Sequence, residues 1–105
     1  VGKKVGCVFC EKNSQEYLLE NDLAVAFWDI HPMTKGHLLI IPKDHEETFF
    51  DLSDQQKRAM DKLLVEAKKM LDEMYHPAGY NIFVHVGKRA GQKVMHAHWH
   101  LVPAY

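Results

Sequence analysis

The run His96-Ala97-His98-Trp99-His100, continuing Leu101-Val102-Pro103-Ala104-Tyr105, constrains this chain more than any other stretch. Three imidazoles alternate with apolar residues. In an extended strand alternate side chains share one face, and residues two apart stand about 6–7 Å from each other. On a helix, neighbours are three or four residues apart, so the same spacing would scatter the rings. Trp99, Leu101 and Val102 suit a pleated, half-buried surface. The spacing therefore predicts a strand over Met95–Tyr105 that aims its imidazoles into a common cleft. Imidazole titrates near neutrality without perturbation. A row of three can bind a metal through neutral nitrogens, or supply a nucleophile with acid/base neighbours. It can also be structural, but three polar rings side by side are costly to bury without a use.

The rest of the chain reads as one domain over residues 1–105. Gln15–Leu19 and Leu23–Trp28 are two apolar runs, and Glu20-Asn21-Asp22 between them has turn chemistry, which predicts a β-hairpin. Asp29–Gly36 is a loop punctuated by Pro32 and Gly36. His37–Ile41 is a short continuous apolar run closed by Pro42, as in a strand buried on both faces. Lys43–Leu52 is a charged connection that holds His45. Ser53 and Gln56 have capping-box spacing. Met60, Leu63, Leu64, Ala67, Met70, Leu71 and Met74 then recur at helical spacing, so a helix is expected over Asp54–Tyr75, stopped by Pro77 and Gly79. Tyr80–Val86 reads as a strand, with Ile82, Val84 and Val86 on one face and Asn81, Phe83 and His85 on the other. Gly87–Lys93 is a Gly-bracketed basic loop. The order β-β-β-α-β-β suits an α+β domain, an antiparallel sheet with a long helix on one face.

Composition removes several classes of function. The formal net charge is −1 with His neutral, so duplex nucleic acid finds no basic footprint. No apolar run approaches the roughly 18 residues of a membrane span. With two cysteines and no disulfide framework, a cytoplasmic, reducing setting is expected. Both cysteines lie in Cys7-Val8-Phe9-Cys10. A disulfide framework needs more cysteines, better spread. A C-x-x-C pair is half of a tetrahedral zinc site, and His45 and His96 are candidates for the other half. The redox reading of C-x-x-C lacks the βαβ pattern that usually accompanies it.

Several further residues point to an anionic ligand. Gly87 and Gly91 permit a backbone whose N–H groups converge on an anion. Lys88, Arg89 and Lys93 add positive charge, and Gln92 adds an amide donor. His37 opens the central strand and is one more imidazole for the same cleft. Asp29 reads either as a turn-capping carboxylate or as an acceptor for a sugar diol.

Taken together, Trp28-Asp29-Ile30, Thr34-Lys35-Gly36-His37-Leu38-Leu39-Ile40-Ile41-Pro42-Lys43-Asp44-His45 and Gly91–Pro103 resemble the histidine triad family of nucleotide-binding hydrolases and transferases. Pro103 after the triad and the early C-x-x-C make it similar to zinc-containing bacterial-type members and to the fragile-histidine-triad branch. The resemblance implies a five-stranded antiparallel sheet with one long helix, in a homodimer. It implies that His98 is the nucleophile that attacks the α-phosphorus of a nucleotide. A covalent nucleotidyl-imidazole intermediate would then release a nucleoside monophosphate to water. Phosphoramidates and dinucleoside polyphosphates of a purine nucleotide are the implied substrates. His100 is implied to bind phosphate oxygens or help protonate the leaving group, His37 to contact phosphate, and Gln92 to donate on the phosphate side. Asp29 would bind ribose, and Phe9, Phe27 and Ile30 would sandwich the base. Cys7, Cys10, His45 and His96 would hold a structural zinc. The alternative is a non-catalytic nucleotide-binding regulatory protein with the same zinc site. The chain departs from the family pattern at two places. His85 stands where relatives often carry an asparagine, and Lys93 where many have a hydroxyl residue.

Overall fold

The computed structural model describes residues 2–105. Five strands, β1 (Leu19–Glu20), β2 (Ala24–Trp28), β3 (Leu38–Pro42), β4 (Gly79–Phe83) and β5 (Trp99–Ala104), form one sheet. Their order is β1-β2-β3-β5-β4, and every pair is antiparallel. A single long helix, α1 (Asp54–Tyr75), lies across one face. This is the α+β architecture expected.

α1 has the bounds that the sequence predicts, because both of its ends are chemically marked. The Ser53 hydroxyl accepts from the Gln56 N–H, and the Gln56 side chain accepts from the Ser53 N–H, a reciprocal cap. At the other end His76 adopts the left-handed conformation, and its N–H reaches the Asp72 carbonyl. Met60, Leu63, Ala67 and Leu71 are fully buried against the sheet. They meet Ala24, Ala26, Leu38, Ile40 and Leu101. Burying a Leu or Met side chain contributes roughly 1.5–3 kcal/mol, so this helix–sheet seam carries much of the fold's stability. Gly36 closes the approach to β3 at φ +90°. A Cβ there would sit 3.1 Å from Leu71 and Tyr75, so a side chain is excluded both by conformation and by space.

The first hairpin is shifted from its expected position. β1 contains only Leu19 and Glu20, and Gln15 lies in a 3₁₀ turn over Ser14–Glu16 capped by Asn13. The cause is Asn21, whose Oδ1 accepts from the N–H groups of Leu23 and Ala24 and so sets the turn later. β4 is also shorter than expected: pairing ends at Phe83, and Ile82 is exposed on this edge strand.

The register sorts side chains between two faces. Phe27 pairs with Leu39, Leu39 with His100, and His100 with Phe83, so these four form one row across the sheet on the face away from α1. The N-terminal segment covers one end of that face, where Phe9 and Tyr17 pack on Val25, Phe27, Leu39 and Ile41. The other end stays open.

Candidate active site and metal centre

The open end of that face is a cavity of about 610 Å³, within the size range of small-molecule sites. Phe27, Leu39, His100 and Phe83 contribute to its walls, with Asp29, Ile30, His37, His85, Lys93 and His98 around them. The three histidines of the triplet do not all enter it. Hydrogen-bonded pairing begins only at Trp99, so His96 and His98 precede β5. The Ala97 N–H is taken by the Glu46 carbonyl of the β3–α1 connection, not by a strand. His98 and His100 line the cavity with ring centroids 5.0 Å apart. His96 turns instead into a separate cluster. The expected single cleft is thus two adjacent sites.

Hydrogen bonds assign a tautomer to His98, His37 and His100. His98 Nδ1 lies 2.7 Å from the His96 carbonyl. A carbonyl only accepts, so Nδ1 carries the hydrogen and Nε2 keeps its lone pair. The Met33 N–H donates to His37 Nδ1 at 3.0 Å. His37 must therefore carry its hydrogen on Nε2, which donates to His100 Nδ1 at 2.9 Å. That leaves His100 with its hydrogen on Nε2, a buried atom with no partner among the described residues. Burial favours the neutral ring throughout. It lowers His98, opposed by the bond to the His96 carbonyl, and it lowers His37, opposed by the Asp29 charge. Burial, with help from the neighbouring His98, His37 and His85, brings His100 to about 4. Phe83 stacks on the His100 ring at 4.5 Å, and Phe9 stands edge-on to His98 at 5.2 Å.

Asp29 follows β2. Its Oδ1 accepts from the His31 N–H, while Oδ2 lies 3.4 Å from His37 Nε2. Ile30 is exposed at the rim. Phe9 and Phe27 meet edge to face at 5.5 Å. Gln92 stands apart from the cavity lining. Its Oε1 accepts from the Gly87 N–H, and its Nε2 donates to the carbonyls of Glu47 and Val94. Both ends of the amide that was expected to face phosphate are used in shaping the loop. Sequence reasoning passed over Lys12, whose side chain is mostly buried and holds its ammonium 4.4 Å over the Phe27 ring. Nothing local in the sequence distinguishes it.

The second cluster joins Cys7, Cys10, His45 and His96, with one donor atom from each and all four within 4.8 Å of one another. Cys10 Sγ lies 3.4 Å from both His45 Nδ1 and His96 Nδ1, and Cys7 Sγ lies 3.4 Å from His96 Nδ1. Tetrahedral zinc with bonds of about 2.3 Å to sulfur and about 2.0–2.1 Å to nitrogen requires sulfur–nitrogen separations near 3.5 Å. His96 Nε2 donates to the Pro42 carbonyl at 2.9 Å, which leaves Nδ1 bare toward the cluster. That is the backbone support metal-bound histidines use. The donor set fits a zinc ion.

Residues 11–105 match the family model of the HIT domain. This chain belongs to the HIT family. It is 39% identical over 103 residues to an uncharacterized 16.1 kDa HIT-like protein of Mycoplasma pneumoniae, covering 94% of this chain and 72% of that one. It is 34% identical over 103 residues to an adenosine 5'-monophosphoramidase of Schizosaccharomyces pombe, covering 94% and 74%. Its fold matches the crystal structure of a HIT family protein from Bacillus anthracis with a TM-score of 0.90, at 31% identity over 96% of this chain and 74% of that chain.

Proposed function

We propose that this HIT protein hydrolyses nucleoside phosphoramidates or dinucleoside polyphosphates through a nucleotidyl intermediate on His98. The observation that carries this reading is the His98 ring itself. Its Nδ1–H is held by the His96 carbonyl, and its bare Nε2 belongs to a ring that lines a cavity large enough for a nucleotide. An imidazole held on one nitrogen and bare on the other is a competent nucleophile.

Nε2 attacks the α-phosphorus, and the bond to the leaving group breaks. Water then displaces the nucleoside monophosphate and returns the electron pair to Nε2. His100 offers its unpartnered Nε2–H to a phosphate oxygen, and His37 holds the His100 tautomer from behind. Donors fixed in advance are most effective where charge develops in the transition state. The apolar end of the cavity, with Phe9, Phe27 and Ile30, receives the base, and Asp29 receives the ribose hydroxyls. The S. pombe relative's activity as an adenosine 5'-monophosphoramidase supports this reaction class.

Cys7, Cys10, His45 and His96 would hold zinc, which when bound supplies a cross-link between the N-terminal segment and the stretch leading into β5. We further propose a homodimer, supported by the open edge of β4 with its exposed Ile82. A cytoplasmic location is consistent with the reduced cysteine pair that zinc requires. No helix among the described residues is long and apolar enough to cross a membrane.

Incubating the protein with adenosine 5'-phosphoramidate and quenching in base tests the proposal. The expected result is release of adenosine monophosphate and a nucleotidyl adduct that maps to His98 by mass spectrometry. Tight monophosphate binding with no turnover of any ester or amide would instead make this a non-catalytic nucleotide-binding regulator.

A further inference from the structure

Five imidazoles line the cavity; His31 is exposed at its rim, and three of the other four are committed by hydrogen bonds. His98 is tied to the His96 carbonyl, and His37 and His100 are tied to each other. His85 is different. It lies just past the end of β4, between Phe83 and the loop that carries Gly91. Its ring packs 5.2 Å from the Phe83 ring and 5.6 Å from the His100 ring. Gly91, at φ +109°, lets the loop backbone pass close behind it. Among the described residues no hydrogen bond holds it.

We infer that His85 is the proton donor to the departing group, an inference that rests on the proposed reaction at His98. The cross-strand row gives it the right place. Phe27 stands at one end, His100 in the middle and Phe83 at the other. With the nucleoside at the Phe27 end, the group that leaves phosphorus exits toward His85.

The hydrogen-bonded imidazoles are poor proton sources. A neutral ring donates a hydrogen bond readily but gives up its last proton only at great cost, and burial keeps His100 neutral down to about 4. His85 lines the cavity beside Phe83 and His100 with no protein hydrogen bond on its ring among the described residues, so its nitrogens are open to a leaving group.

The step balances. The His98 Nε2 lone pair forms the bond to phosphorus. The phosphorus–nitrogen or phosphorus–oxygen bond to the leaving group breaks with its electron pair, and that atom takes the proton from the His85 imidazolium. The neutral His85 next accepts a proton from the attacking water. As the monophosphate departs, the His98 lone pair is restored.

The test compares two substrates of one nucleotide. Adenosine 5'-phosphoramidate has a leaving group that must be protonated. The p-nitrophenyl ester of adenosine monophosphate has one that departs as a stable anion. In His85→Asn, kcat/KM for the phosphoramidate should fall about 10²–10⁴-fold, with a loss on the nitrophenyl ester at least tenfold smaller. Free imidazole should restore part of the phosphoramidate activity in His85→Ala, a rescue that a merely structural role does not give. Equal losses on both substrates, no loss on either, or the same selective loss in Lys93→Met without one in His85→Asn would overturn the inference. Should the unmodified protein turn over neither substrate and form no adduct on His98, the underlying reaction is what fails. An adduct that forms normally on both substrates in His85→Asn leaves that reaction standing and removes His85 from it.

Discussion

The metal cluster and the cavity share one backbone run, yet they use histidine in opposite ways. At the cluster, His96 is fully buried, its Nε2 is spent on the Pro42 carbonyl, and its Nδ1 faces three other strong ligands from distant parts of the chain. At the cavity, two residues later, His98 spends Nδ1 on a backbone carbonyl and leaves Nε2 without a hydrogen-bond partner among the described residues. The first arrangement uses up every valence and closes a cross-link. The second leaves one valence open beside a space. The difference is not in the residue type or its burial, since both rings are buried. It lies in what each ring's second nitrogen meets. The two sites also touch: the carbonyl that sets the His98 tautomer belongs to the cluster residue His96. Whatever fixes His96 therefore also holds the nucleophile.

Breaking the cavity side should give the largest effect. His98→Ala should lower turnover on the order of 10⁴-fold or more, with nucleoside monophosphate affinity, read by calorimetry, changed only severalfold. A variant retaining full activity would remove the distinction between the sites.

Breaking the cluster should instead act on stability first. Cys7→Ala should lose one zinc per chain by elemental analysis. It should also lower the thermal midpoint by more than about 10 °C, given that about 1 kcal/mol moves a domain of this size by about 4–8 °C. Activity of the remaining folded protein should drop only about 10–100-fold, the usual loss when an outer support is removed. Metal that survives Cys7→Ala and disappears in His98→Ala would reverse the two assignments.

Lowering the pH sharpens the comparison on the cavity side. Burial lowers His37 and brings His100 to about 4, whereas the ordinary value is 6.5. Between those values the unfolded chain binds more protons than the folded one, so stability should fall as the pH drops from about 6.5 toward about 4 and stay level above. Urea unfolding across that range should show it. His100→Gln should flatten the slope, and an unchanged slope would show that the His100 ring takes its proton equally well folded and unfolded.

The smallest effect is expected at Gln92. Gln92→Ala deletes three hydrogen bonds to the backbone and should cost about 1–3 kcal/mol. Its effect on kcat/KM should be small compared with that of His98→Ala. A loss confined to kcat/KM, with urea stability unchanged, would return Gln92 to the phosphate side.

Much of this was legible before any coordinates. The span of α1 followed from its capping box and apolar period, and β3 from a continuous apolar run. The C-x-x-C pair announced a site that needed two more ligands. These are local signals: caps, periodicity and ligand chemistry act within a few residues. The boundaries that moved did so for reasons a residue string hides. Asn21 took two N–H groups and shifted the hairpin, and the edge of the sheet ended β4 at Phe83. Nothing beside Lys12 in the chain marks that Phe27 lies beneath its ammonium.

The chain alone determined that three imidazoles would lie close together, that two thiols would sit one turn apart, and that a helix would cover one side of an antiparallel sheet. Only the tertiary structure decided which ring serves which site. Alternation assigns side chains to a face only while the backbone stays in a regular ladder, and here the ladder starts at Trp99. Before that point the path follows a bond from the Ala97 N–H to the Glu46 carbonyl, a partner 51 residues away by number and unknowable from spacing. The direction of each imidazole, and with it the division between a bound metal and a reactive nitrogen, depends on carbonyls brought in from elsewhere in the fold.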